Sequence, residues 1–426
     1  MARTNDAGPL PSLADAEWLN NPQARAVFAA LRAEGAQARA VGGAVRNALM
    51  GVPVKDVDIA TTAVPAEVMR LAQQAGLHAV PTGIDHGTVT VIVDHVPFEV
   101  TTLRKDIETF GRHARVTFTT DWREDALRRD FTINALYCGS DGAVHDPIGG
   151  YGDLLARRVR FIGDARQRIR EDYLRILRFF RFHATYGRND TLDAEGLEAS
   201  IAEKAGLSQL SSERIRAELL LLLSAPGAIE ALHAMRAAGL LEPLLGLQGN
   251  VDLAGRVAAI ESALDKTPDP LLRLAALAVD MQGEPVPLKD RLRLSSAEAE
   301  RLALAARRDA GCEPNSDERQ AQAFIYRHGT QAFTDAALLA WARSGDDPKD
   351  TAHTRRARLP EHWTAPQLPV RGADVLAQGV PPGPAVGRVM TAFEDWWIAD
   401  GFPDDAERTA LKLDELVRGE LSSQRD

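Results

Sequence analysis

Asp56 and Asp58 stand one residue apart in the run KDVDIA, Lys55 to Ala60, among Val54, Val57 and Ile59. That alternation reads as a strand, and alternate strand residues share a face, so the two carboxylates project together. Like charges this close are costly unless a cation sits between them. Mg²⁺ and other hard divalent ions take carboxylate and phosphate oxygens. A short way upstream, Gly42-Gly43 lies between a strand-like run and a helical one, where glycine lets backbone N–H groups approach an anion. Arg46 follows one turn later, placed to reach the same phosphate oxygens. Separately, these are a solvated edge strand and a tight turn. Together and in this order they point to metal-assisted phosphoryl transfer.

Several elements must position these groups. The chain opens with a polar leader and a helix over Trp18 to Arg32, whose start Asn20-Asn21-Pro22 interrupts. A short helix, Ala44 to Met50, follows the glycines and is broken by Gly51 and Pro53. Pro65 to Ala75 reads as a helix ended by Gly76. Gly87 to Asp94 and Pro97 to Leu103 alternate as two strands of a hairpin, with Glu99 on the second. Arg104 to Thr117 has no clear period and reads as a loop at the mouth of the site. In DWREDALRRDFTINALY, Asp121 to Tyr137, a helical half ends at Arg129, where a guanidinium can meet a triphosphate. Asp130 can pin the turn that follows through backbone N–H groups.

From Asp153 onward the pattern is helical. One helix is expected over Ala165 to Tyr186, carrying Asp172, Arg175, Arg178 and Arg181 at every third position. Steps of three drift by roughly 60° per step, so the first three share a face and Arg181 moves round. An ion-paired helix face, with Asp172 to Arg175 as one i,i+3 pair, is the plain structural alternative. His145-Asp146 invites a phosphohydrolase metal site, but the ten histidines are scattered singly, and DPIGGYGDL reads instead as a closing turn.

The string GGAVRN…DVDI resembles the active-site signature of the polymerase β-like nucleotidyltransferases, in the version of class II tRNA nucleotidyltransferases (CCA-adding enzymes) and bacterial poly(A) polymerases. RRDFTINAL resembles a second signature of that family, and Glu171-Asp172-x-x-Arg175 its EDxxR element. GADVLAQGVPPGPAVGRVM, Gly372 to Met390, resembles its C-terminal patch, before a closing helix over Ala385 to Asp400. PLLRLAALAVDMQG resembles a helix that carries His-Asp in relatives with an added hydrolase domain; Val279-Asp280 stands in that place, so no hydrolysis is expected. Asn47 stands where the family usually has Asp.

The resemblance implies an α+β protein: an N-terminal polymerase β-like head of mixed sheet and helices, then all-helical neck, body and tail. The expected segments are an extension over residues 1–35, a head over 36–152, a neck over 153–240, a body over 241–360 and a tail over 361–426. Asp56 and Asp58, with Glu99 as third carboxylate, would hold Mg²⁺. Gly42, Gly43, Arg46 and Arg129 would hold the triphosphate, and Asp172, Arg175, Arg178 and Arg181 the nucleotide's other end. Asp172 only accepts and Arg175 only donates, a match to cytosine and adenine and a mismatch to uracil and guanine. The implied substrates are tRNA with CTP and ATP. Two other readings share these motifs: a poly(A) polymerase, which tends to carry a long basic C-terminal extension unlike the acidic DDAERTALKLDEL here, and a catalytically silent RNA-binding protein, which has no use for a metal pair.

Composition agrees. At 426 residues, 45% hydrophobic and 26% charged, the chain is a globular protein of about three domains. No apolar run is long enough to span a bilayer, no secretory signal pattern opens the sequence, and Cys138 and Cys312 make neither a disulfide framework nor a zinc site. A cytoplasmic protein is expected, and nothing in the sequence specifies an oligomeric state. The net charge of −10 hides a basic middle: residues 101–190 carry 17 Lys/Arg against 13 Asp/Glu, a balance of +4, leaving −14 elsewhere. A basic segment in an acidic protein can still form a phosphate-facing groove.

Overall fold

The computed structural model describes residues 10–110, 113–188, 192–278, 288–308 and 310–423, with the backbone alone at 106–110 and 113–115. It divides into two compact units, Met1–Gln248 and Gly249–Asp426. The fold is α+β, with all its named strands in the first unit.

The first unit opens on α1 (Glu17–Asn20) and α2 (Pro22–Arg32). The break between them is chemical: the Asn21 side chain accepts from the Gln23 N–H at 2.9 Å, and Pro22 occupies the first helical position. Then follow β1 (Ala38–Val41), α3 (Gly43–Leu49), β2 (Asp58–Thr61), α4 (Pro65–Gln74), β3 (His78–Gly83), β4 (Thr88–Val93) and β5 (Val96–Thr102). Next come β6 (Arg104–Phe110), β7 (His113–Phe118), α5 (Trp122–Leu127), β8 (Tyr137–Gly139) and β9 (Val144–His145). The seven-stranded sheet runs β3-β4-β5-β2-β1-β8-β9, with β2 and β5 parallel and its other pairs antiparallel.

The expected hairpin is β4–β5. Its two-residue turn is Asp94-His95, both at positive φ (48° and 66°), the form that matches strand twist. Arg104 to Thr117 is not the loop its sequence predicts: β6 and β7 pair there as a separate two-stranded ribbon. Neither face of that ribbon alternates cleanly, so no periodicity announces it. Beneath the central strands, Val41, Ala60, Leu103, Ala126, Ala135, Tyr137 and Ile162 form a buried cluster.

Helices complete the unit: α6 (Gly150–Leu155), α7 (Ala165–Glu171), α8 (Leu174–Tyr186), α9 (Ala194–Ala202), α10 (Ser212–Leu223), α11 (Ala228–Ala237) and α12 (Leu241–Leu245). The single helix expected over Ala165 to Tyr186 is two. Asp172 is extended (φ −156°, ψ 106°) between α7 and α8, although no Gly or Pro marks the spot. The Tyr173 ring fills the break against Gly206, where a Cβ would come within 2.0 Å of it. Helix α8 is fastened to the sheet by aromatic contacts: Phe131 lies 5.0 Å from both Phe161 and Phe182, and Phe161 stacks on Phe179 at 5.4 Å.

The second unit is helical: α13 (Val251–Ala263), α14 (Pro270–Ala278), α15 (Leu288–Leu292), α16 (Ser296–Ala306), α17 (Glu318–Ser344, interrupted at Gly329), α18 (Thr351–Ala357), α19 (Leu359–His362), α20 (Gly372–Ala377), α21 (Pro384–Ala399) and α22 (Ala406–Ser423). Val279-Asp280 lies outside the described residues. Around Phe393 and Trp397, α20 to α22 bury a core of their own. No described helix is long and apolar enough to cross a membrane.

Candidate active site

At the end of β1 the chain turns through Gly42 (φ 67°, ψ −117°), a backbone state that L side chains rarely adopt. A Cβ on Gly42 would sit 3.7 Å from Arg129 Nη1, and one on Gly43 would sit 3.8 Å from Arg46 Nη2. Each glycine thus has a guanidinium beside it. The two arginines differ in freedom. Arg46 is buried, with Nη2 donating to the Tyr186 hydroxyl at 2.7 Å and to Asn47 Oδ1 at 2.8 Å, Nη1 donating to Asn134, and its plane 3.9 Å over the Tyr186 ring. Burial lowers its pKa. It braces the glycine turn against α8. Asn47 suits this arrangement: its oxygen accepts from Arg46 while its amide donates to the Pro53 carbonyl at 3.2 Å, which a carboxylate could not do.

Ile59 pairs with Val100 across the parallel strands, and both are fully buried. Asp58 and Glu99, one residue earlier on each strand, therefore share the opposite, solvent-exposed face. The ladder begins at Asp58, so Asp56 lies in the irregular lead-in rather than in the strand expected from Lys55. The carboxylates still feel one another. Asp58 has a raised pKa, through desolvation by the surrounding protein first, then the charge of Glu99; Asp56 adds to the rise and Arg129 opposes it. Among the described residues no three acidic or histidine groups are drawn together as a closed metal cage. Carboxylate oxygens are the donors a hard divalent ion takes, so Asp58 and Glu99 on one exposed face, with Asp56 just before the strand, fit such an ion.

Arg129 leaves α5 with its Nη2 on Asp125 Oδ2 at 3.1 Å and its Nε on the Tyr137 hydroxyl at 3.3 Å. Burial pushes the Asp125 carboxyl up, but Arg129 and Arg128 overcome that and hold it at about 2. Asp130 pins the turn as its sequence predicts: Oδ1 accepts from the Phe131 N–H at 2.8 Å and from Asn134 at 2.9 Å. Its other oxygen takes two bonds from Arg178, at 3.0 and 2.6 Å. Arg181 donates to Glu218 of α10 at 2.6 Å, and both arginines lie over Phe182. Arg178 and Arg181 therefore tie α8 to the turn after α5 and to α10.

The i,i+3 pair between Asp172 and Arg175 is not made. Asp172 Oδ1 caps α8 through the Leu174 N–H at 3.1 Å, and Oδ2 accepts from Arg214 of α10 at 2.7 Å. Arg175 donates to Glu171 at 2.6 Å and to the Arg168 carbonyl at 2.7 Å. Asp146, considered above as a metal ligand, spends its carboxylate on the N–H groups of Gly149, Gly150 and Tyr151, a loop cap.

Comparison with known proteins decides the family. The chain is 36% identical over 375 residues to the CCA tRNA nucleotidyltransferase 1, mitochondrial, of Mus musculus, covering 87% of this chain and 84% of that one. It is 31% identical over 422 residues to the CCA-adding enzyme of Lacticaseibacillus paracasei, covering 95% and 99%. The chain belongs to the CCA-adding enzyme family. Residues 38–160 match the Poly A polymerase head domain, and residues 191–248 the probable RNA and SrmB-binding site of polymerase A. The Bacillus stearothermophilus CCA-adding enzyme in complex with CTP superposes with a TM-score of 0.73 at 27% identity, over 95% of this chain and 98% of that one. Nucleotidyltransferases of this family use a divalent metal.

Sequence reasoning on this CCA-adding family member missed the partners. Arg214, Glu218, Asn134, Tyr186 and Asp125 each hold a residue of the predicted site. One signal was available: Arg214 and Glu218 are four apart on α10, so they share the face that meets α8.

Proposed function

We propose that this protein adds C and A nucleotides, from CTP and ATP, to the 3′ end of tRNA without a nucleic-acid template, joining each nucleotide to the terminal hydroxyl and releasing pyrophosphate. The observation that carries the reading is the juxtaposition at the start of β2: Asp58 pairs with Val41, next to the Gly42 turn and its neighbour Arg129, and shares the exposed face of the parallel strands with Glu99. Names of relatives support the tRNA substrate, and the CTP complex of the Bacillus relative supports the nucleotide.

Asp56 and Asp58, with Glu99, are the residues that hold a divalent ion, which we take to be Mg²⁺. A divalent ion held by these carboxylates would supply a lowered pKa for the attacking hydroxyl and charge neutralisation at the leaving group. The Gly42-Gly43 turn and Arg129 bind the triphosphate and orient it for attack. Arg46 keeps that turn in shape. Asp172 accepts from the exocyclic amino group of cytosine or adenine and Arg175 donates to the adjacent ring nitrogen. Arg178 and Arg181 set the position of α8 beneath them. We assign residues 36–152 to the catalytic head and 153–240 to the base-reading neck. Body (241–360) and tail (361–426) are assigned to the tRNA, and the cytoplasm is the expected compartment.

The test supplies a tRNA transcript lacking its CCA end with each labelled nucleoside triphosphate separately, with EDTA-stripped protein and with Mg²⁺ restored. Two C and one A, then arrest, is the expected outcome. Long A-tails with no use of CTP would make it a poly(A) polymerase, and RNA binding without incorporation a silent scaffold. Activity in EDTA would remove the metal.

A further inference from the structure

A nucleoside triphosphate is grasped at two ends, and here the two grips come from different elements. Arg129 sits after α5, while Arg175 sits on α8, beyond the helix break. Something must set the spacing between them. Arg168 of α7, only 8% exposed, touches both. Its Nη2 donates to the Arg129 carbonyl at 2.6 Å and to the Arg128 carbonyl. Its Nη1 pairs with the Glu171 carboxylate, and the same Glu171 oxygen accepts from Arg175 at 2.6 Å. Arg175 in turn donates to the Arg168 carbonyl at 2.7 Å. The hydrogen bonds run without a gap from the Arg129 carbonyl through Arg168 and Glu171 to Arg175.

We infer that Arg168 is a positioning residue that fixes the distance between the triphosphate grip and the base-reading arginine, so that a nucleotide is judged by its base only when its phosphates are seated. This rests on the proposed roles of Arg129, Asp172 and Arg175. The chemistry suits Arg and not Lys. A planar fork can send separate N–H groups to two carbonyls and a carboxylate at once, whereas an ammonium is a point charge on a flexible stem. Charge-assisted bonds out of bulk water are also stiffer than neutral ones. Substrate positioning of this kind contributes to rate and selectivity together.

The experiment compares full-length wild type, Arg168→Lys and Asp172→Ala on a tRNA lacking CCA. One readout is the ratio of kcat/KM for CTP over UTP. The other is inhibition by inorganic tripolyphosphate, which probes the phosphate grip with no base attached. Thermal melting records folding. For Arg168→Lys we expect a melting temperature near wild type, with CTP over UTP discrimination and tripolyphosphate affinity both falling on the order of tenfold, the size of one lost charge-assisted bond. A purely structural role would lower the melting temperature and leave both ratios alone. Folded Arg168→Lys with either readout at its wild-type value overturns the coupling. Should that variant not fold, Glu171→Gln, which keeps the size and one acceptor, carries the test: the same paired loss is expected, and no loss in either readout overturns it. Asp172→Ala separates the failures. If it keeps the preference for C and A, the base-reading assignment falls; if it loses that preference while folded Arg168→Lys retains it, only the coupling falls.

Discussion

Asp172→Ala removes a helix cap and the partner of Arg214 together with the proposed base contact. The carboxylate has room for about four hydrogen bonds. One, to the Leu174 N–H, caps α8, and another holds Arg214. The other acceptor positions are what a base amino group would use. Loss of the cap costs roughly 0.5–2 kcal/mol of stability. Loss of a bidentate base contact costs about 1–3 kcal/mol of discrimination, a factor of roughly 5 to 150. The two effects belong to different measurements. Thermal melting reads the first; competition among all four triphosphates on a tRNA lacking CCA reads the second. We expect slow transfer in which UTP and GTP gain on CTP and ATP. Asp172→Asn sharpens the case, because its oxygen can still cap α8 while its amide can donate to uracil or guanine. It should melt nearer to wild type and discriminate as poorly as the alanine variant. Were Asp172 only the partner of Arg214, Asp172→Ala would melt lower and choose C and A as before, and that result would refute the reasoning.

Other outcomes follow from the same geometry. Asp58→Ala should abolish transfer and leave the protein as stable or more so. Desolvation by the surrounding protein and the charges of Glu99 and Asp56 raise the folded-state pKa of the exposed Asp58, so its ionised form costs some stability above that value and the cost disappears below the unfolded pKa. The gain should therefore be largest at neutral pH, as melting at pH 4 and 7 would show. Gly42→Ala has room for its methyl but not the backbone, and should lose about 1–3 kcal/mol together with tripolyphosphate binding, read by melting and by inhibition. Asp130 is pushed up by burial, yet Arg178, Asn134 and the Phe131 N–H bring it to about 2. Its depressed pKa contributes about 2 kcal/mol that is present above pH 3.8 and lost as the pH falls towards 2. Asp130→Asn should flatten that acid limb without removing it, since Asp125 titrates alike, and melting from pH 6 to 2 measures the change.

What could be read from the sequence was whatever local periodicity encodes. The Gly42 turn, the β4–β5 hairpin and the helix end at Arg129 all follow from residues within a turn or two of one another. The shared face of Asp58 and Glu99 does not, since it depends on the parallel register of β2 and β5. What escaped is long in sequence or weak in pattern. Strand β3 is half-exposed and carries Pro81, and the sequence of β6 and β7 has no clear period. Residues 344–369 read as loop from their Gly, Asp and Pro clusters, yet Asp350 caps α18 through the Ala352 and His353 N–H groups. The break at Asp172 depends on Tyr173 meeting Gly206 from a distant turn, and no local rule for helix ends marks it.

The arginines teach the same point from the other side. A row of Arg175, Arg178 and Arg181 between apolar pairs reads either as a nucleotide-binding face or as an ion-paired helix face, and charge alone cannot separate the two. The ion-pair partners can. Asp130 and Glu218 stand opposite Arg178 and Arg181 and take up their charge within the protein. Such pairs do little for net stability, but they fix one arrangement of α8 against α10 and the turn after α5. An enzyme that chooses between nucleotides by an acceptor and a donor needs that fixity more than it needs further contacts with the ligand, because a carboxylate displaced by an ångström no longer distinguishes an amino group from a carbonyl. On the proposed role of Asp172, Asp130 and Glu218 serve the same specificity as positioning groups, and of the two only Asp130 falls within a motif.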